Sequence, residues 1–131
     1  MIRGALFAAI MAAGLSGAVA AQAPAASAVC SGKAVTIRLS AIKPGQLAAF
    51  RKAVADHQAW YAAHHNATKV EFVHLAARSA VGGFGWDDSS AMTIVTHDLS
   101  SNPARDAGFQ AFVGEYRASS DVKQEYRGCI N

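Results

Sequence analysis

The chain has 131 residues, of which 52% are hydrophobic and 16% charged, with a net charge of +3. That length fits one domain beside a short leader. The basic residues are scattered and form no run after Arg3, so the positive balance gives no case for a nucleic-acid partner.

Arg3 supplies a positive start, and an apolar or small-residue run follows from Ala5 to Val19. Ala18-Val19-Ala20 then offers the small-x-small pattern that signal peptidases accept. The run is shorter than the roughly 20 residues of a spanning helix and is rich in Gly and Ala. Residues 1–20 are therefore expected to be a cleaved signal peptide, with the cut after Ala20. A cut after Ala23 would leave Pro24 first, which is less favourable. Export to the periplasm or beyond the cell follows, with no membrane part after cleavage. Residues 21–32 read as a flexible lead-in, and 33–131 as one folded α+β domain.

Val35, Ile37 and Leu39 alternate with Ala34, Thr36 and Arg38, the period-two pattern of a strand with two distinct faces. Pro44-Gly45 breaks that strand and opens a helix, since proline at a first helical turn forfeits no hydrogen bond. The helix carries Leu47, Phe50, Val54, His57, Tyr61 and His64 at alternating three- and four-residue steps, and it ends near Asn66. Lys69 to Ala76 is the second strand, with Val70, Phe72 and His74 on one face. Arg78 to Ser90 is glycine-rich and reads as a long hairpin loop carrying Phe84 and Trp86. Ala91 to His97 is the third strand. Asn102-Pro103 has the form of a helix N-cap and first turn, followed by a stripe of Phe109, Phe112, Val113 and Tyr116. Val122 to Ile130 reads either as a fourth strand or as an irregular tail.

Cys30 and Cys129 are the two cysteines. In an oxidising compartment an even count invites pairing. Two free thiols, or bonds between chains, are the alternatives. An intramolecular bond would close a loop on the order of 100 residues, and loop entropy sets its stabilisation at no more than about 4–5 kcal/mol. Val29 is too large to precede a lipidated cysteine. The spacing excludes a CxxC redox motif, and the thiols are too few for a structural zinc site. No metal is expected.

The order βαββα(β) predicts an α+β sandwich of the ferredoxin-like kind. Large apolar residues occur on both faces of the strands, as in Val35 and Ile37, Phe72 and Val73, Ile94 and Val95. Two helices cover one face of a sheet, so the other needs a second cover, which a homodimer supplies.

The element order, the Pro44-Gly45 junction and the helix reading Phe50, His57, Trp60-Tyr61, His64 resemble the dimeric α/β-barrel superfamily. That group includes antibiotic-biosynthesis-type monooxygenases and stress-responsive barrel proteins. The resemblance spans roughly Val35 to Ser120 and implies a homodimer, with room for an apolar ligand between the helices and the sheet. Its members range from cofactor-free oxygenases and haem-degrading enzymes to proteins without a known reaction, so the fold alone names no chemistry.

His57, Trp60 and His64 share one face of the first helix and are the leading candidates for ligand contact. A histidine there can act as acid or base, or ligate haem iron. The competing reading is that all three are hydrogen-bonded core residues. His57 and His64 lie about 10.5 Å apart along the axis, too far to chelate one metal. Phe84 and Trp86 form a second candidate pair, as a lid or a dimer contact. The alternation places His74 and His97 on opposite faces and Glu71 with His97. No catalytic residue is assigned. The expected function is that of an exported barrel protein binding a small apolar ligand or a partner. The alternatives are a cofactor-independent monooxygenase, a haem-binding or haem-degrading enzyme, and a structural interaction module. No cofactor is expected, haem being the one considered.

Overall fold

A computed structural model describes residue 30 and residues 32–131. The expected signal peptide and most of the lead-in lie outside the described residues. Six elements follow in order: β1 (Lys33–Ile42), α1 (Leu47–Ala63), β2 (Lys69–Arg78), β3 (Phe84–Thr96), α2 (Ala107–Ser119) and β4 (Ser120–Ile130). The strands make one sheet in the order β2-β3-β1-β4, with each neighbouring pair antiparallel. Two helices on a four-stranded antiparallel sheet form an α+β fold consistent with a ferredoxin-like sandwich. The segment left open between strand and tail is β4, which pairs with the whole length of β1 from Lys33↔Ile130 to Ile42↔Ser120.

Register fixes which side chains share a face, because directly paired residues point the same way. Thr36 pairs with Val95 and Arg127, and Arg38 with Thr93 and Glu125. Val70 and Phe72 on β2 pair with Val95 and Thr93. This face meets the helices. Its core joins Ile42, Phe50, Val54, Val70, Ala91 and Val95, with Leu47, Tyr61, Phe72 and Tyr116 packed around them. The opposite face carries Ile37, Leu39, Val73, Met92 and Ile94, which neither helix covers.

Both helices begin later than the sequence suggests. Gly45 takes φ 72°, the left-handed region that helical residues avoid, and the Gln46 N–H closes a turn on Lys43 O at 2.9 Å. Pro44 therefore belongs to a turn before α1, and Gln46 is the N-cap. In α2 the cap is Asp106, not Asn102. Its side chain accepts the Phe109 N–H at 2.9 Å, and residues 101–106 form no helix. A carboxylate at this position satisfies an otherwise unpaired N–H and complements the helix dipole.

The close of α1 is a Schellman turn. His65 sits at φ 53°, its N–H reaches Ala62 O, and the Asn66 N–H reaches Tyr61 O, both at 3.1 Å. Asn66, buried just beyond, donates to Ser101 Oγ at 2.8 Å and accepts from the Thr68 N–H at 2.9 Å. One side chain thus fixes the α1–β2 and β3–α2 connections to each other.

The long loop expected between Arg78 and Ser90 is instead a strand continuation around a short turn. Gly82 and Gly83 adopt φ 93° and 84°, and the Ser79 N–H bonds Gly83 O at 3.1 Å. Two consecutive left-handed residues turn the chain within a few positions, so pairing resumes at Arg78↔Phe84. A register shift between His74 and Leu75 allows the arm to continue.

Candidate functional site

α1 lies over β2, while α2 reaches toward β4, and a space remains above the central strand β1. It forms a cavity of about 700 Å³, within the range of small-molecule sites. Its floor comes from the helix-facing side of β1 and β3, with Thr36, Arg38, Ser40 and Thr93. Its roof is aromatic and apolar, with Tyr61, Phe109, Phe112, Val113 and Tyr116. His57 and His97 stand between them, and Cys30 and Cys129 form part of one wall.

His57 is buried in an aromatic stack. Its ring lies 4.2 Å from Phe112, nearly parallel, and 5.3 Å from Tyr61. Its Nδ1 shares a 3.3 Å hydrogen bond with the Tyr116 hydroxyl. Burial lowers its pKa to about 4, with the nearby Arg38 charge and then His97 adding to the effect. Burial, followed by Arg38 and Arg127, also lowers the pKa of His97, whose Nε2 lies 2.8 Å from Thr36 Oγ1. Both rings are thus neutral near pH 7. Burial raises the pKa of Tyr61 and Tyr116, so both keep their phenolic protons.

Arg38 is the charge common to these shifts. Its Nε donates to Glu125 Oε2 at 2.7 Å, while Glu125 Oε1 takes the Arg127 Nε at 3.0 Å. Burial works to raise the Glu125 carboxyl, but the two guanidinium groups outweigh it and hold the acid below its ordinary range.

Of the five candidates named from sequence, His57 lines the cavity. Trp60 is buried beside it, but its indole N–H is given to Asp106 Oδ1 at 2.7 Å. His64 has both ring nitrogens engaged, with Trp60 O at 2.7 Å and Asp106 Oδ2 at 3.0 Å. In this arrangement His64 has no nitrogen free for iron, whereas His57 retains its Nε2. Phe84 and Trp86 lie on the β2–β3 arm at 69% and 73% exposure and do not line the cavity. Trp86 stacks on His74 at 4.8 Å, and His74 bonds Asp88 at 2.9 Å.

His74 and His97 prove to share the helix-facing side, because His74 pairs with Ala91 in the actual register. His97 follows the last residue of β3 while His74 lies opposite Ala91 near its middle, bonded to Asp88 rather than to the cavity groups, and the two form no common site. Glu71 pairs with Ile94 on the other face, away from His97. The added strand residues and the shift after His74 defeat a face assignment made from alternation about a loop centre.

Sequence reasoning passed over Arg38, Thr36, His97 and Tyr116 as site residues. The available signal was the polar row Thr36, Arg38, Ser40 opposite Val35, Ile37, Leu39, since a charge at the middle of a central strand needs a reason to be there. Cys30 and Cys129 are joined as a disulfide, with Cα atoms 5.6 Å apart. Among the described residues, no group of three or more His, Cys, Asp or Glu is placed to hold a metal ion, and no helix is long and apolar enough to cross a membrane. Comparison with protein-family models, with curated proteins and with solved structures finds no match to the chain.

Proposed function

We infer that this is an exported binding protein for a small, largely apolar ligand held between its helices and its sheet. The cavity above β1 is the observation that carries the reading. It is walled by aromatic side chains, and a few polar groups converge on its floor, the composition typical of ligand sites. The Cys30–Cys129 bond supports an oxidising compartment. Thr36 Oγ1 lies 2.8 Å from His97 Nε2 in the cavity, but among the described residues no carboxylate bonds the other nitrogen of that ring to orient it as a base, so binding is favoured over covalent catalysis.

The test is calorimetric titration with 2-naphthamide, an uncharged bicyclic probe that fits the volume. Saturable binding to the unaltered protein, abolished by Val113→Trp in the cavity wall, is the expected result. If neither 2-naphthamide nor its acid 2-naphthoate binds the correctly folded protein, the reading fails.

The protein is further read as a homodimer whose two sheets meet through Ile37, Leu39, Val73, Met92 and Ile94. An apolar face of this kind left in water is a liability that a second copy removes. Light scattering coupled to gel filtration should give twice the chain mass, and Ile94→Asp should give the single mass. A monomer at micromolar concentration in the unaltered protein would overturn the dimer.

A further inference from the structure

We propose that the cavity ligand is an apolar carboxylic acid, bound as its monoanion with the carboxylate on the free edge of Arg38. This deepens, and rests on, the reading of the cavity as a ligand site.

Position comes first. Arg38 pairs with Thr93 and Glu125 on the helix-facing side of the sheet, and it lines the cavity floor. Glu125 occupies its Nε, and neither Nη group has a hydrogen-bond partner among the described residues. A guanidinium presents its donors in a planar fork, whose geometry matches the two oxygens of a carboxylate. The Arg38 side chain is 33% exposed, so this fork is open to the cavity while shielded from much of the solvent.

Charge comes second. Arg38 and Arg127 share one carboxylate, Glu125, which leaves one positive charge at the floor. Of the other charged groups that line the cavity, Arg105 lies over the Phe109 ring at 5.1 Å, on the roof side, and Arg117 and Asp121 oppose each other in sign. His57 and His97 add no charge near neutral pH, because burial and Arg38 hold them unprotonated. A single unmatched cation at the floor suits a monoanion better than a phosphate dianion. The walls give the rest of the specificity. Phe109, Phe112 and Val113 offer nothing polar to a ligand body, so the charge must sit at one end of an otherwise apolar molecule.

The experiment compares 2-naphthoate with 2-naphthamide, which match in shape and differ in charge. On the unaltered protein 2-naphthoate should bind at least about tenfold more tightly, the usual worth of a charge-assisted hydrogen bond. Arg38→Gln should remove that preference, so that the two probes bind the variant alike. Glu125 keeps Arg127 as its partner in Arg38→Gln, so that variant leaves no unmatched charge at the floor, and its thermal melt is compared with the parent's to confirm the fold. Equal or tighter binding of 2-naphthamide to the unaltered protein overturns this inference and leaves the cavity reading standing. Binding of neither overturns both.

Discussion

Asp106 Oδ1 accepts the indole N–H of Trp60 at 2.7 Å while also accepting the Phe109 N–H that it caps at 2.9 Å. One oxygen thus joins the body of α1 to the first turn of α2. Its partner oxygen takes His64 at 3.0 Å. These bonds hold the carboxyl below its ordinary range, with the Phe109 N–H as the largest cause. Three residues that look like ligand contacts on a helical wheel are thereby divided, with His57 left in the cavity and the other two spent on a helix cap.

Asp106→Ala should therefore act at a distance from the substitution. The cap and the indole partner vanish together, and Tm should fall by about 5 °C. Trp60 emission should change, because its N–H is left buried without an acceptor. Gly108→Ala probes the same junction by packing, since an added Cβ would lie 3.1 Å from Trp60 Cδ1. Thermal melts with Trp86→Phe as background isolate the Trp60 signal. An unchanged melt and spectrum in Asp106→Ala would remove the junction from the stability of the fold.

His57 makes stability depend on pH in a defined direction. Its pKa is about 4 in the folded protein and about 6.5 when unfolded. The unfolded chain therefore binds more protons between those values, and stability rises as pH increases through that window. The contribution is fully present above the unfolded value and is lost as pH falls toward 4, with a size of up to about 3 kcal/mol. His97 acts in the same sense. Denaturant midpoints from pH 4 to 7 should climb in the parent and climb less steeply in His57→Gln. Equal slopes in the two proteins would contradict the buried neutral ring.

His65 holds φ 53° at the end of α1 and is exposed. A side chain costs free energy in that region, and glycine does not pay it. His65→Gly should stabilise the protein by about 0.5–1 kcal/mol, less whatever the freer unfolded chain takes back. Urea denaturation at pH 7 measures it directly. A loss of stability would mean that the ring makes a contact in solution.

The amount of structure legible in the sequence varied with the range of the forces involved. Element types came through because hydrophobic periodicity is local. The Val35–Leu39 alternation and the Phe50–Val54–His57 stripe each report one strand or helix face. Helix starts were missed because Gly45 and Asp106 act through φ and through partners brought near by folding. The hairpin is legible, but its arm from Phe84 to Ser90 reads as loop because glycine and acidic residues are as common in turns as in an exposed strand, and only pairing with Leu75–Arg78 tells them apart. Among site residues, His57 was visible as a polar member of an apolar stripe. Arg38 was not, because its value depends on Glu125, far along the chain, and on two helices that leave the space above it open.

Loss of the covalent link should be costly and easy to score. Non-reducing peptide mapping should recover Cys30 joined to Cys129 within one chain. Cys30→Ser/Cys129→Ser should lower the unfolding free energy by up to about 4–5 kcal/mol, in line with the length of chain the bond closes. A midpoint unchanged on removal of both thiols would show that the β1–β4 ladder alone holds the ends.

Those same two cysteines line the cavity. A chain that has formed its sheet but not yet been oxidised has a binding chamber with one side fastened only by ladder hydrogen bonds. The bond that ties the two ends of the domain is therefore also a piece of cavity wall, and what loosens the one loosens the other. Titrating 2-naphthoate before and after reduction measures that coupling, and weaker binding to the reduced protein is the expected result.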